Sequence, residues 1–120
     1  MIYTSYFGQL KSLPKTICPI SICLKAPDWY SGLQYKKLAP KYDFFKAWKQ
    51  NHDNDYYIKC FTEQVLSNLN AFDVVIDLYK LSAGKDIALI CYESPDDFCH
   101  RHLVAEWLRQ SWFLCEEFKK

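Results

Sequence analysis

Glycine is scarce, with three in 120 residues. That excludes the glycine-rich phosphate loops of the common nucleotide-binding domains, which need several glycines in one short run. Net charge is scarce too. Fifteen Lys and Arg against 14 Asp and Glu leave a formal charge of +1, so the chain as a whole carries no electrostatic address. No uncharged apolar run approaches the roughly 20 residues of a membrane-spanning helix, and the opening Met1-Ile2-Tyr3-Thr4-Ser5 lacks the basic and apolar segments of a secretory signal. We therefore expect a cytoplasmic chain with no membrane partner. Paired C-x-x-C and H-x₃₋₅-H spacings are missing as well. Zinc on Cys91, Cys99, His100 and His102 is weighed and set aside on that ground, leaving no metal and no cofactor among the expectations.

Half the residues are apolar and 18% are aromatic, and 120 residues suffice for one domain, 1–120, with its own core. The six cysteines, Cys18, Cys23, Cys60, Cys91, Cys99 and Cys115, are expected to be reduced thiols in a cytoplasmic setting. Several sit in apolar runs, where cysteine packs as a small hydrophobe.

Ile2 to Phe7 is short and β-prone, and Gly8 closes it. Ile17 to Leu24 reads as a second strand whose early part Pro19 demotes to an edge or bulge. Residues 25–38 read as a loop. Pro40 suits the first turn of a helix running to about Gln50. Apolar residues at helical spacing (Tyr57, Ile58, Phe61, Val65, Leu69) mark a helix from Tyr56 to about Leu69. Asn70 and Asp73 form a capping signal for another helix through Leu81, which Gly84 ends. Ile87 to Tyr92 is an unbroken apolar run, the pattern of a parallel strand buried on both faces. Ser94-Pro95-Asp96-Asp97 signals a helix start, with Leu103, Val104, Trp107 and Leu108 facing inward, and Trp112 to Phe118 is read as a closing strand. The expected architecture is a small three-layer α/β domain, a mostly parallel sheet of three to four strands flanked by helices.

In open parallel sheets ligands bind beyond the carboxyl ends of the strands, which draws attention to Cys91-Tyr92-Glu93 and Cys99-His100-Arg101. A thiol near a helix start, beside Arg101 and the histidines, becomes a better nucleophile. Cys99 is thus the expected nucleophile or redox-active thiol, His100 and Glu93 the groups that handle protons, and Arg101 with the helix N-terminus the anion anchor. Cys91, Lys41 and Lys25 complete the expected ligand-binding set. Each has a plainer reading: Cys91 as a packed strand end, His100 as a partner of a backbone carbonyl, Arg101 as half of an internal ion pair. A second feature is residues 25–49, where six lysines face two aspartates among Trp29, Tyr30, Tyr35, Tyr42, Phe44, Phe45 and Trp48, an arrangement that can stack bases and track phosphates.

Leu38-Ala39-Pro40-Lys41, the buried strand ending Cys91-Tyr92-Glu93, and Cys99-His100-Arg101-His102-Leu103 together resemble the domain of unknown function 488 family. The likeness runs from about Ile2 to Glu117. It implies an α/β domain whose signature residues, here Cys91, Glu93, Cys99, His100 and Arg101, and with less weight Pro40 and Lys41, gather near one strand end. One departure stands out: Lys25-Ala26-Pro27 occupies the place where members often carry arginine and proline, and lysine cannot reproduce a bidentate fork. The expectation is a small enzyme or ligand-binding protein for an anionic, nucleotide-like or phosphate-bearing compound. The alternative is a non-catalytic module that uses residues 25–49 on nucleic acid or a protein partner.

Overall fold

The computed structural model describes residues 1–93 and 97–119. Five parallel strands form one sheet: β1 (Ile2–Tyr6), β2 (Ile17–Ser21), β3 (Leu33–Gln34), β4 (Asp86–Cys91) and β5 (Cys115–Glu117), in the order β3-β2-β4-β1-β5. Four α-helices accompany it among the described residues: α1 (Tyr42–Asn51), α2 (Asn54–Gln64), α3 (Ala71–Leu81) and α4 (His100–Gln110). None is long and apolar enough to cross a membrane.

The apolar run 87–91 is β4, with every residue fully buried between β1 and β2. Its register pairs Ile2 with Ile87 on one side and Ile20 with Leu89 on the other. Alternation sends Ile87 and Leu89 into the larger core, shared with Phe44, Phe61, Leu78 and Leu108 from the four α-helices. Ala88 and Ile90 face the opposite side, covered by Phe7, Cys23 and the partly buried Leu10, Leu13 and Tyr30. This second cover is thin, a 3₁₀ turn over Phe7–Ser12 and the chain beyond β2.

Crossover handedness explains the asymmetry. The chain steps from β1 to β2 and on to β3 in one direction along the sheet, and from β3 to β4 to β5 in the other. Crossovers of one hand that run in opposite directions must cover opposite faces. The two long return steps carry all four α-helices, so those share a face.

Several expectations shift. The sheet has five strands, because the stretch read as a loop contains the two-residue β3 and a 3₁₀ turn over Lys36–Leu38. β2 stops at Ser21 and lies inside the sheet, but β3 touches only Ile20 and Ser21, so Pro19 sits where that side is open. α1 begins at Tyr42, two residues after Pro40, and α2 runs Asn54–Gln64 before a separate 3₁₀ turn at Leu66–Asn68. Asn70 caps α3, its side chain accepting from the Asp73 N–H at 3.1 Å, and Gly84 follows with φ +82°. The helix start read at Ser94-Pro95-Asp96 lies outside the described residues, and α4 begins at His100 with Cys99 as its N-cap. Cys99 therefore precedes the first turn instead of lying within the opening turns. β5 confirms the closing strand.

Candidate functional site

Adjacent strands whose outgoing connections leave toward opposite faces open a crevice at their carboxyl ends. Here β4 exits toward the helical face while its neighbours β1 and β2 exit toward the other. The crevice thus falls at the end of β4, and a cleft of about 600 Å³ occupies it. Cys91 at the end of β4 and Tyr92 and Glu93 just beyond it line the cleft, with Cys23 and Lys25 from beyond β2, and Tyr42, Phe45 and Lys49 from α1. The α1 residues recur at three and four positions, one face of the helix. His100 reaches the same cleft from the start of α4. Cys99 lines a small hollow that also touches Glu93 and His100.

Glu93 has no hydrogen-bond or ion-pair partner for its carboxylate among the described residues, although its backbone oxygen accepts from Arg101 Nη1 at 2.6 Å. Tyr92 extends its hydroxyl across to donate to the Lys25 carbonyl at 2.7 Å, fixing one wall. Lys25 and Lys49 are exposed, the latter with Nζ 5.0 Å from the centre of the Phe45 ring. Cys23 lines the cleft but is no nucleophile at neutral pH, because burial pushes its thiol up to about 12.

His100 is buried, and its Nε2 lies 2.7 Å from the Ile22 carbonyl. A carbonyl only accepts, so Nε2 carries the proton and Nδ1 presents a lone pair, 3.9 Å from Cys99 Sγ. Burial lowers the imidazole to about 4, leaving it neutral at physiological pH.

Arg101 is turned inward and shows no exposed surface. Its Nε and Nη2 form a fork on Glu117 at 3.1 and 3.0 Å, and its Nη1 donates to Cys91 Sγ at 3.2 Å as well as to the Glu93 carbonyl. The guanidinium also covers the Tyr6 ring. Arg101 therefore does not line the cleft. It is a positioning residue that ties the end of β4 to α4 and β5. The expectation of six free thiols is also corrected. Cys91 and Cys99 are joined with their sulfurs 2.05 Å apart, while Cys18, Cys23, Cys60 and Cys115 are free. No local pattern signals this pairing, because the two cysteines belong to different elements whose approach is not written in either segment.

The structure thus gathers Cys91, Glu93, Cys99, His100 and Lys25 at one place and sets Arg101 behind them. Lys41, the N-cap of α1, is exposed and lies beside the cleft wall without lining it. Sequence reasoning missed Lys49 as a site residue, although its place seven residues after Tyr42 puts both on one helical face. Glu117 and Thr4, whose hydroxyl donates to Glu117 Oε1 at 2.6 Å, carried no signal, since their relation to Arg101 exists only once β5 has paired with β1. Among the aromatic residues of 25–49, Tyr35 and Phe44 are buried in the core, whereas Trp29 and Tyr42 are exposed.

No curated protein and no solved structure matches the chain. A family model does. It is described as the active DUF488-N3 subclade and matches residues 9–112, from the turn after β1 to the end of α4, a span that contains the whole Cys91-Tyr92-Glu93 and Cys99-His100-Arg101 signature. With that signature gathered at the end of β4 and the start of α4, and with most of the chain matched, this protein belongs to the DUF488 family of domains of unknown function, in its DUF488-N3 subclade.

Proposed function

We propose that the cleft at the end of β4 binds an anionic, nucleotide-like compound and that the protein acts on it as a small enzyme. The observation that carries this reading is the cleft itself: two lysines, Lys25 and Lys49, share its lining with the rings of Tyr42, Phe45 and Tyr92, and the Glu93 carboxylate, without a partner among the described residues, lies inside. The lysines supply the attraction for phosphate, and the aromatic rings supply faces for a planar base. Glu93 is the proton acceptor, its side chain unpaired among the described residues and its backbone held by Arg101. The anion role expected of Arg101 passes to the lysines, because the guanidinium is occupied inside the protein.

Titration calorimetry with AMP, GMP, CMP and UMP tests the reading, with adenosine and inorganic phosphate as controls. A nucleoside monophosphate should bind more tightly than adenosine or phosphate alone. Lys25→Gln and Lys49→Gln should each weaken it by about tenfold or more, the loss of one charge-assisted hydrogen bond. Glu93→Gln should bind it more tightly, since a like charge leaves the cleft. Absence of binding by all four nucleotides at millimolar concentration, or binding indifferent to both lysine substitutions, would remove the proposal.

A further inference from the structure

The ligand reading leaves the Cys91, Cys99 and His100 cluster at the base of the cleft without a role. We infer that the reduced protein holds one zinc ion through Cys91 Sγ, Cys99 Sγ and His100 Nδ1, with the fourth position open toward the cleft. This goes beyond the nucleotide reading and does not rest on it.

Three features carry the inference. First, the ligand atoms of these three buried residues all lie within 4.8 Å of one another. Zinc bonds of about 2.0–2.3 Å in a tetrahedron place neighbouring donor atoms roughly 3.3–3.8 Å apart. The 3.9 Å between Cys99 Sγ and His100 Nδ1 is already close to that edge, and the sulfurs need only separate on reduction. Second, the Cα atoms of Cys91 and Cys99 stand 7.5 Å apart, wider than the 4.4–6.8 Å usual across a disulfide. The backbone is spaced for two sulfurs with an ion between them. Third, the Ile22 carbonyl holds the proton of His100 on Nε2 and aims the Nδ1 lone pair at the sulfurs. Metal-bound histidines are oriented in the same way, by a carbonyl or carboxylate on the far nitrogen. Arg101 Nη1 donates to Cys91 Sγ at 3.2 Å, which favours the thiolate.

The charges balance as well. Two thiolates neutralise a divalent cation, so the loaded site is neutral in a buried setting, and the Arg101–Glu117 pair beside it is neutral too. Loading from the oxidised form has two steps. A dithiol reductant supplies two electrons and two protons, the S–S bond breaks, and the reductant becomes a disulfide. Zinc then displaces the two thiol protons to solvent as two S–Zn bonds form. Three protein ligands with an open fourth position are the pattern of catalytic zinc, and the open side faces the cleft that contains Glu93.

The test is a cobalt titration of the full chain, reduced with a dithiol and freed of it under nitrogen, with folding followed by circular dichroism. One equivalent of Co²⁺ should produce thiolate-to-cobalt charge-transfer absorption and the visible bands of a tetrahedral site, and Zn²⁺ should erase both. Oxidised wild-type protein, in which Cys18, Cys23, Cys60 and Cys115 remain free, should produce neither, a control that needs no variant. Cys91→Ser and Cys99→Ser should weaken zinc by more than the roughly 10–100-fold that loss of an outer hydrogen-bond partner costs a metal site. Cys18→Ser and Cys60→Ser should leave affinity unchanged. A reduced, folded protein without the bands, or oxidised protein that shows them, overturns the inference. Nucleotide titrations run in chelator, and cobalt titrations of Lys25→Gln and Lys49→Gln, keep this outcome separate from that of the nucleotide reading.

Discussion

Arg101 shows how an arginine with no exposed surface is kept inside a small protein. Its charge is met by a two-point fork on Glu117, Glu117 is further held by Thr4, and the remaining donors go to Cys91 Sγ and the Glu93 carbonyl. The pair contributes little net stability over two well-packed apolar residues, but breaking it strands a charge. Arg101→Met should therefore cost about 3–5 kcal/mol, whereas Arg101→Met with Glu117→Leu should recover most of that loss. Urea unfolding of both proteins checks this, and a single variant that loses under about 1 kcal/mol would show that the fork is a surface-like contact. The same substitution frees the backbone of Glu93, so the ligand affinity of the recovered double variant reports how far Arg101 positions the cleft.

At the scale of elements, β4 is the member on which the rest is assembled. It pairs with β1 and β2 along almost its whole length, and both of its faces are covered. Leu89→Asp places a carboxylate among Ile20, Phe61 and Leu108 with nothing to pair it, a cost of several kcal/mol against a total stability of about 5–15 kcal/mol. The variant should lack the native far-ultraviolet dichroism and any cooperative melt. A soluble variant that melts cooperatively would mean that β4 is not the buried centre. This strand and α3 were legible in the sequence to within a residue or so, because an apolar run and a side-chain cap are local signals. The start of α4 was less legible. The pattern at Ser94-Pro95-Asp96 lies outside the described residues, and α4 begins at His100, where the Ile22 carbonyl and the core receive its first side chains. Neither partner is visible within a window around residue 94.

For the whole molecule, the cleft draws on the end of β2, the face of α1, the end of β4 and the start of α4, so no part of the chain contains it alone. The Cα radius of gyration is 13.6 Å, the size of a single compact unit of this length. Heat should therefore unfold the protein in one transition, coincident by far-ultraviolet dichroism and tryptophan fluorescence. A bound nucleotide should raise that one midpoint without splitting it. Two separate transitions would show that α1 and its cleft wall melt apart from the sheet.

The sequence by itself determined the class of the fold, the identity of the central strand and the neighbourhood in which the signature residues gather. Those follow from periodicity, from apolar runs and from the rule that parallel strands present ligand sites at their carboxyl ends, all of which are properties of short stretches. Tertiary structure alone decided what each signature residue touches. Arg101 faces Glu117 because β5 pairs with β1, His100 is neutral because the core covers it while the Ile22 carbonyl just beyond β2 fixes which nitrogen carries its proton, and Cys91 meets Cys99 where the end of β4 lies beside the start of α4. Each of those relations joins different elements of the fold, and side-chain identity carries no record of the distance that packing leaves between them.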